Sequence, residues 1–337
     1  MTKMLTISVA AYNIEQYIDD LMRSIIQSGV MQHIEVLIVN DGSRDNTAIV
    51  AYEYQKQYPD SVKVIDKPNG GHGSTINMGI MEAKGKYFRA LDGDDWVKSE
   101  NLARLVEKME TLEADLILSD FCKCYADGRE QIEQLSEKLK DGQSYSFDEA
   151  TNGIKDLAYH AAIYRTSILK ENEIRLDEHC FYVDLEYVLF PIPYINVVFY
   201  SKAPIYCYRL GANGQSVSIS SRRKNINDAK KVSARVFSFY EQNRGSVSEG
   251  KKEYLIMKLV NFCKWYEKTL LLFPANREKK KELIAYEDCI KEKYLEVYRS
   301  LMQKDIVFIL LRVSRYALYR ACSWGFIALE EHRYGKT

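Results

Sequence analysis

The chain has 337 residues, 47 basic and 47 acidic side chains and 46% hydrophobic residues. That length supports one large domain or two smaller ones with a proper core. The charge balance excludes a general nucleic-acid binder, which carries a basic excess. The seven cysteines are scattered and odd in number, and the single-residue spacing of Cys122 and Cys124 fits neither a zinc knuckle nor a redox CxxC pair. They read as reduced, mostly buried thiols in a cytoplasmic protein. The first residues run straight into an apolar strand, with no long apolar core or small-residue cleavage site of a signal peptide.

Residues 5–10 form a β-branched apolar run, a buried strand that Ala11-Tyr12-Asn13 breaks. Ile14, Tyr17, Ile18, Leu21 and Ile25 recur at helical spacing, with Gly29 as the stop. A second strand at 34–39 ends in Asn40-Asp41-Gly42-Ser43, and Asp45 and Thr47 are ready caps for the helix that follows. A third strand at 62–65 runs into Lys67-Pro68-Asn69-Gly70-Gly71-His72-Gly73-Ser74, then a helix carrying Ile76, Ile80 and Met81 that Gly85 closes. The fourth strand leads into Asp92-Gly93-Asp94-Asp95-Trp96. Strand, loop and helix in repetition predict parallel βαβ units, with every glycine-bearing loop on one edge of the sheet. That edge is where open α/β sheets bind ligands.

A helix at 99–111 and a strand at 114–119 come next, then a polar stretch at 125–153 that reads as a hairpin or flap. Residues 156–169 read as mostly helical or mixed. A second acidic cluster spans 177–186, two strands follow at 197–200 and 205–209, and a polar loop occupies 211–218. Beyond Ser221 the patterns are helical, over 226–243, 249–273, 279–300 and 305–329. The expected division is a nucleotide-binding domain at 1–220 and a helical domain at 221–337. The last helix contains Arg312, Arg315 and Arg320 and no acid before Glu330. Arginines are expensive at a bilayer centre, which disfavours a transmembrane span. An in-plane amphipathic helix on an anionic membrane competes with a helix packed on the core or in a homodimer.

Two loops carry chemistry on their residues alone. Asp92, Asp94 and Asp95 place three like charges within four residues, an arrangement that a divalent oxygen-liganded ion such as Mg2+ or Mn2+ relieves. Gly93 permits a tight turn and leaves room for a bulky ligand. The competing reading is a polar turn in which Asp94 or Asp95 caps the next helix. The glycine-rich loop at 67–74 feeds a helix start whose backbone N–H groups favour anions. It has neither Walker A nor GxGxxG spacing.

In order, Val9-Ala10-Ala11-Tyr12-Asn13, the run from Val39 to Thr47, Asn69 through Asn77 with Gly79, and Asp92-Gly93-Asp94-Asp95 resemble the signature of glycosyltransferase family 2. The resemblance implies the α/β GT-A fold, a Rossmann-like, mostly parallel sheet flanked by helices, and an inverting, nucleotide-sugar-dependent reaction. It covers residues 1–220 and does not name the sugar. It implies a UDP-sugar donor, Mn2+ or Mg2+ held by Asp92 and Asp94, and a donor site drawn from Ala11, Tyr12, Asn13, Asp41, Lys67, Asn69, Gly71, His72, Asn77, Asp92, Gly93 and Arg209. Tyr12 would pack on the base and Asp41 would accept from uracil N3–H, unless Asp41 only forms the turn with Gly42. Many members carry an arginine just before the asparagine matching Asn77. Here that residue is Ile76, which leaves Lys67, His72 or Arg209 as the phosphate-facing cation. Members have a Glu-Asp pair whose Asp is the base. This chain has Val183-Asp184, so Asp184 is the expected base, with Glu186, Asp177 or a plain helix cap as alternatives. The acceptor would be a saccharide or lipid-linked saccharide at the inner membrane face. No Gln-x-x-Arg-Trp sequence occurs, which argues against a processive synthase. The loop Ala11-Tyr12-Asn13 argues against a nucleotidyltransferase or a Rossmann oxidoreductase. A scaffold without activity is disfavoured by Asp92, Asp94 and Asp184.

Overall fold

The computed structural model describes residues 2–211, 218–274, 276–302 and 306–334, so all but the ends of the polar loop expected at 211–218 lie outside the described residues. Two compact units divide it, 1–212 and 213–337. Each is described by itself.

Strand β1 (Leu5–Ala11) is apolar and buried almost throughout, because it has a neighbouring strand on each side and a helix packed against it. β2 (Ile34–Asn40) is buried at every position. They pair in parallel, and β1 also pairs in parallel with β4 (Tyr87–Asp92). The register sets Ala11 opposite Asn40 and Ala10 opposite Asp92. The three strands therefore end at one level, and the loops after them open on one edge. Between them run helix α1 (Ile18–Ile26), α2 (Thr47–Gln57), strand β3 (Val62–Asp66) and α3 (His72–Glu82). On α1 the buried face is Ile18, Leu21, Met22 and Ile25, spaced as a helix stripe requires. Each such side chain contributes about 1.5–3 kcal/mol on full burial.

The rest of this unit adds β5 (Trp96–Val97), α4 (Ser99–Met109), β6 (Leu116–Tyr125), β7 (Glu130–Glu133), β8 (Gln143–Ser146), α5 (Phe147–Thr151), β9 (Ala162–Arg165), α6 (Thr166–Glu171), α7 (Asp184–Leu189) and β10 (Val197–Leu210). The sheet order is β3-β2-β1-β4-β9-β6-β10-β5, with β7 on β6 and β8 on β10. β9 is antiparallel to both its neighbours, and β6 and β10 return to parallel pairing. This is the GT-A arrangement expected from the sequence.

One local reading changes, and two settle within the alternatives expected. The two strands expected at 197–209 are one, β10, whose register on β6 shifts between Ser201 and Tyr206. Residues 156–169 are mixed, containing β9 and the start of α6. The stretch at 125–153 holds a hairpin, β7 folding back antiparallel on β6, and then β8, which pairs antiparallel with β10.

The second unit is helical, with α8 (Ile219–Lys224), α9 (Ile226–Asn243), α10 (Glu249–Leu270), α11 (Arg277–Lys293), α12 (Leu295–Leu301), α13 (Ile306–Val313) and α14 (Tyr319–Tyr334). The single last helix of the sequence reading is two. Arg315 takes φ +50°, its N–H donates to Arg312 O at 3.0 Å, and the Tyr316 N–H donates to Leu311 O at 2.6 Å. That is a Schellman closure with arginine where glycine is usual, so the sequence gives no stop signal. No described helix is long and apolar enough to cross a membrane.

Candidate active site

The carboxyl edge of β1, β2 and β4 brings the expected loops together. Asp41, after β2, is buried. Its carboxylate accepts from Gly70 N at 2.9 Å, Gly71 N at 2.8 Å and Lys67 Nζ at 2.5 Å. Asn69 Nδ2 donates to the Asp41 carbonyl at 2.9 Å. The acid expected to read uracil is thus turned to the glycine loop, whose shape it fixes. Lys67 also donates to Pro68 O and Ser74 Oγ, so its ammonium is engaged within the loop. Gly71 sits at φ +80°, a conformation that glycine supplies without strain.

Tyr12 stands 47% exposed on this edge. Ala11 is buried and offers only backbone. Asn13 takes φ +54° and accepts from Arg44 N at 2.8 Å through Oδ1, so it braces the Asp41 loop. Gly93 has a different reason from the one expected. A Cβ there would lie 2.6 Å from Ala10 O and 2.7 Å from Ile14 Cδ1, so packing against β1 excludes a side chain.

His72 opens α3 and lies between two carboxylates. Its Nε2 is 3.0 Å from Asp92 Oδ1 and its Nδ1 is 3.3 Å from Asp184 Oδ1. Burial works to lower the imidazole pKa, but Asp92 and Asp184 together raise it well above 6.5. Burial pushes the Asp92 carboxyl up, and His72 outweighs it and holds the acid below 3.8. The Tyr159 hydroxyl donates to Asp92 Oδ1 at 3.2 Å. Of the expected trio, His72 is the one that lies between Asp92 and Asp184.

Asp184 begins α7 with its side chain 56% exposed. The alternatives are not open in this way. Glu186 is fully buried and accepts from Asp177 N at 2.7 Å, and Asp177 is itself buried. The Asn77 amide donates to Leu176 O at 2.9 Å and accepts from Leu176 N at 2.8 Å, tying α3 to the segment before α7. Gly73 makes the same approach closer, since a Cβ there would lie 2.0 Å from Asp177 O.

Arg209, near the end of β10, serves the carboxylate loop from outside. Its Nε donates to Asp94 O at 2.7 Å and its backbone N–H to Asp95 Oδ1 at 2.7 Å. Its guanidinium stacks on Trp96 at 4.6 Å and Tyr17 at 5.0 Å. Asp95 is buried and accepts from Tyr206 Oη at 2.6 Å. Burial, then Asp92 and Asp94, push its carboxyl well above 3.8, and burial and Asp92 raise Asp94 as well.

This excess of negative charge is what a divalent cation would relieve. Oxygens of Asp92 and Asp95 and a ring nitrogen of His160 all lie within 4.8 Å of one another. Burial lowers the His160 imidazole to about 4, so it is neutral and offers a lone pair. Carboxylates with one imidazole suit Mn2+, and the residues present fit such an ion. The sequence reading chose Asp92 and Asp94; the geometry brings Asp95 and His160 to Asp92. His160, Tyr159 and Tyr206 were missed. They come from segments 67 and more residues away in sequence from Asp92, with no spacing that marks them. Beneath them Arg89 is fully buried, donating to His160 O and stacked 5.0 Å from the Tyr206 ring.

Residues 6–172 match the model of glycosyl transferase family 2. Among curated relatives, Bacillus subtilis EpsJ, an uncharacterized glycosyltransferase, is 34% identical over 39% of this chain and 38% of its own length. Bacillus subtilis EpsH, a putative glycosyltransferase, is 26% identical over 74% of the chain and 71% of its own length. The chain thus spans well under half of the first relative and most of the second. The S. aureus TarS 1–349 crystal structure with UDP-GlcNAc aligns over 99% of this chain and 92% of that one, with TM-score 0.70 at 20% identity. A Pyrobaculum calidifontis mannosyltransferase, PcManGT, in complex with GDP-Man and Mn2+ aligns over 100% and 89%, with TM-score 0.55 at 12% identity. At these identities the structures speak for the fold.

Proposed function

Since the chain belongs to glycosyltransferase family 2 and is a glycosyltransferase of GT-A fold, we propose that it moves a sugar, with inversion, from a UDP-sugar to a hydroxyl of a saccharide acceptor. The observation that carries this is the line Asp92–His72–Asp184, in which one imidazole lies within 3.3 Å of both a donor-side and an acceptor-side carboxylate. A single displacement needs its two halves on opposite sides of the anomeric carbon, within one sugar's reach.

Tyr12 supplies a face for the base. The loop whose Gly70 and Gly71 N–H groups Asp41 holds sets the start of α3 toward the diphosphate, and His72 there provides the positive charge that Ile76 cannot. Asp184 takes the proton of the attacking hydroxyl, a contribution of about 10²–10⁴ in rate. A Mn2+ or Mg2+ ion, when bound by Asp92 with Asp94 or with Asp95 and His160, would offset the charge of the departing UDP. Arg209 holds the backbone of that loop in place. The acceptor is a lipid-linked saccharide met at the inner face of the plasma membrane, with the donor drawn from the cytoplasm.

The test is a panel of UDP-sugars scored for hydrolysis and transfer with Mn2+, in wild type and in Asp184→Asn. The variant should bind UDP-sugar within about threefold of wild type and lose about 10²–10⁴ of its transfer rate. Transfer at the wild-type rate would remove Asp184 as the base.

A further inference from the structure

The α13–α14 segment is apolar on both of its sides. A helix packed on a protein normally turns apolar residues inward and charge outward. Here Phe308, Leu311 and Ile327 are buried as that rule requires, and the inner side takes paired charge and polar groups as well. Arg312 Nε donates to Glu287 Oε2 at 2.7 Å, the Tyr316 hydroxyl donates to the same oxygen at 2.6 Å, and the Tyr319 hydroxyl donates to Leu270 O at 2.8 Å. Ser323 is fully buried, and Glu330 accepts from Arg222 at 2.9 Å.

The outer side is apolar. On α13 the exposed residues are Ile306 (73%), Ile309, Leu310 and Val313 (80%), at the i, i+3, i+4, i+7 spacing of one stripe. On α14 they include Trp324, Leu329, Ala321 and Ala328, with Leu318 in the connection. The charged residues exposed on these segments from 306 to 329 are Arg315 and Arg320, and the sequence has no acid in that span.

We infer that the outer side of residues 306–329 is a docking surface for an anionic lipid bilayer, lying in the plane of the headgroups. The stripe of α13 enters the acyl boundary, Trp324 sits at the interface its amphipathic ring favours, and Arg315 and Arg320 meet lipid phosphates. Charge selects this occupant: a surface with only positive charge suits an anionic membrane, while a second copy of the same surface would bring four arginines together without a counterion. Arg312, which the sequence pattern counted among the lipid-facing arginines, belongs to the interior. The surface would serve the lipid-linked acceptor proposed above, but its test uses no catalytic readout.

The test is co-sedimentation of the full chain with vesicles of phosphatidylcholine alone and of phosphatidylcholine with phosphatidylglycerol. Wild type should pellet with the anionic vesicles and stay in solution with the neutral ones. Leu310→Glu with Val313→Glu, and separately Arg315→Glu with Arg320→Glu, should weaken binding at least tenfold. All four side chains are exposed, so thermal unfolding should match wild type and UDP-sugar hydrolysis in solution should not change. Absence of binding to anionic vesicles, or binding that both variants retain, would overturn the proposal. So would a wild-type dimer that sediments as such without lipid and dissociates in Leu310→Glu. Vesicle binding by a protein that hydrolyses no UDP-sugar would leave this surface standing and remove the enzymatic reading instead.

Discussion

Replacing Arg312 tests how the helical unit is held together. The guanidinium sits with its side chain 10% exposed, 2.7 Å from Glu287 Oε2 and 3.7 Å from Glu267 Oε1, and those carboxylates are 3% and 0% exposed. Solvent screens such a pair little. Arg312→Met keeps most of the packing volume and removes the cation facing two buried acids. Loss of one partner of a buried pair costs about 3–5 kcal/mol, most of it the charge left behind. The Tyr316 hydroxyl still reaches Glu287, so the lower half of that range, about 3–4 kcal/mol, is expected. For a unit of this size that lowers Tm by roughly 10–15 °C. Circular dichroism of the helical signal reads it directly. Adding Glu287→Gln to Arg312→Met should recover at least half of the loss, because the amide needs no counterion. A single variant that melts within 2 °C of wild type, or a double variant no better than the single one, would refute the reasoning (the 2 °C threshold is about 0.5 kcal/mol). The same geometry predicts that a chain ended before residue 306 is destabilised, since it loses Arg312 and Tyr316 together.

Asp94→Ala should weaken metal-dependent UDP binding without unfolding the protein, and calorimetry with UDP and Mn2+ showing unchanged affinity would count against any role for it. Gly73→Ala would force a Cβ to 2.0 Å from Asp177 O, so the 176–184 segment must move. Transfer should fall by more than tenfold while the protein still binds UDP, and a fully active variant would show that the contact yields freely. The raised pKa of His72 means that its contribution to metal-free stability is fully present below about pH 6.5 and is lost as pH rises through the raised value. His72→Gln should therefore flatten the fall in Tm above that pH, and an unchanged slope would assign the titration elsewhere.

The first half of the fold was legible because β1, β2 and β4 are continuous apolar runs that end in glycine-bearing loops, and parallel strands put all such loops on one edge. Asp92 and Asp184 could be named from their local settings. Their neighbours could not. Tyr159 and His160 reach the site because β9 runs antiparallel between β4 and β6, which no periodicity announces. Asp41, Lys67 and Asn77 were read as ligand groups because they sit on the ligand edge. Each is engaged within the protein, Asp41 with Lys67 and the glycine-loop backbone and Asn77 with Leu176, and spacing does not contain such side-chain directions. The final helix looked continuous because its break relies on Arg315 in a left-handed conformation where glycine would have been the signal.

The Asn77 amide gives and takes one hydrogen bond with Leu176 much as a neighbouring strand would, across 99 residues of sequence. On the proposed function it is a splice between two stretches of chain with different tasks, the helix start assigned to the donor and the segment leading to Asp184 assigned to the acceptor. Acceptor preference could then be exchanged as a cassette of residues 173–190 while the donor half stays untouched, provided the incoming piece presents free backbone at 176 and a carbonyl at 177 that clears Gly73. A graft that meets those two conditions keeps the proposed base, Asp184, in register with the donor half. One that fails them can fold and still bind nucleotide, with the two halves of the reaction no longer aligned.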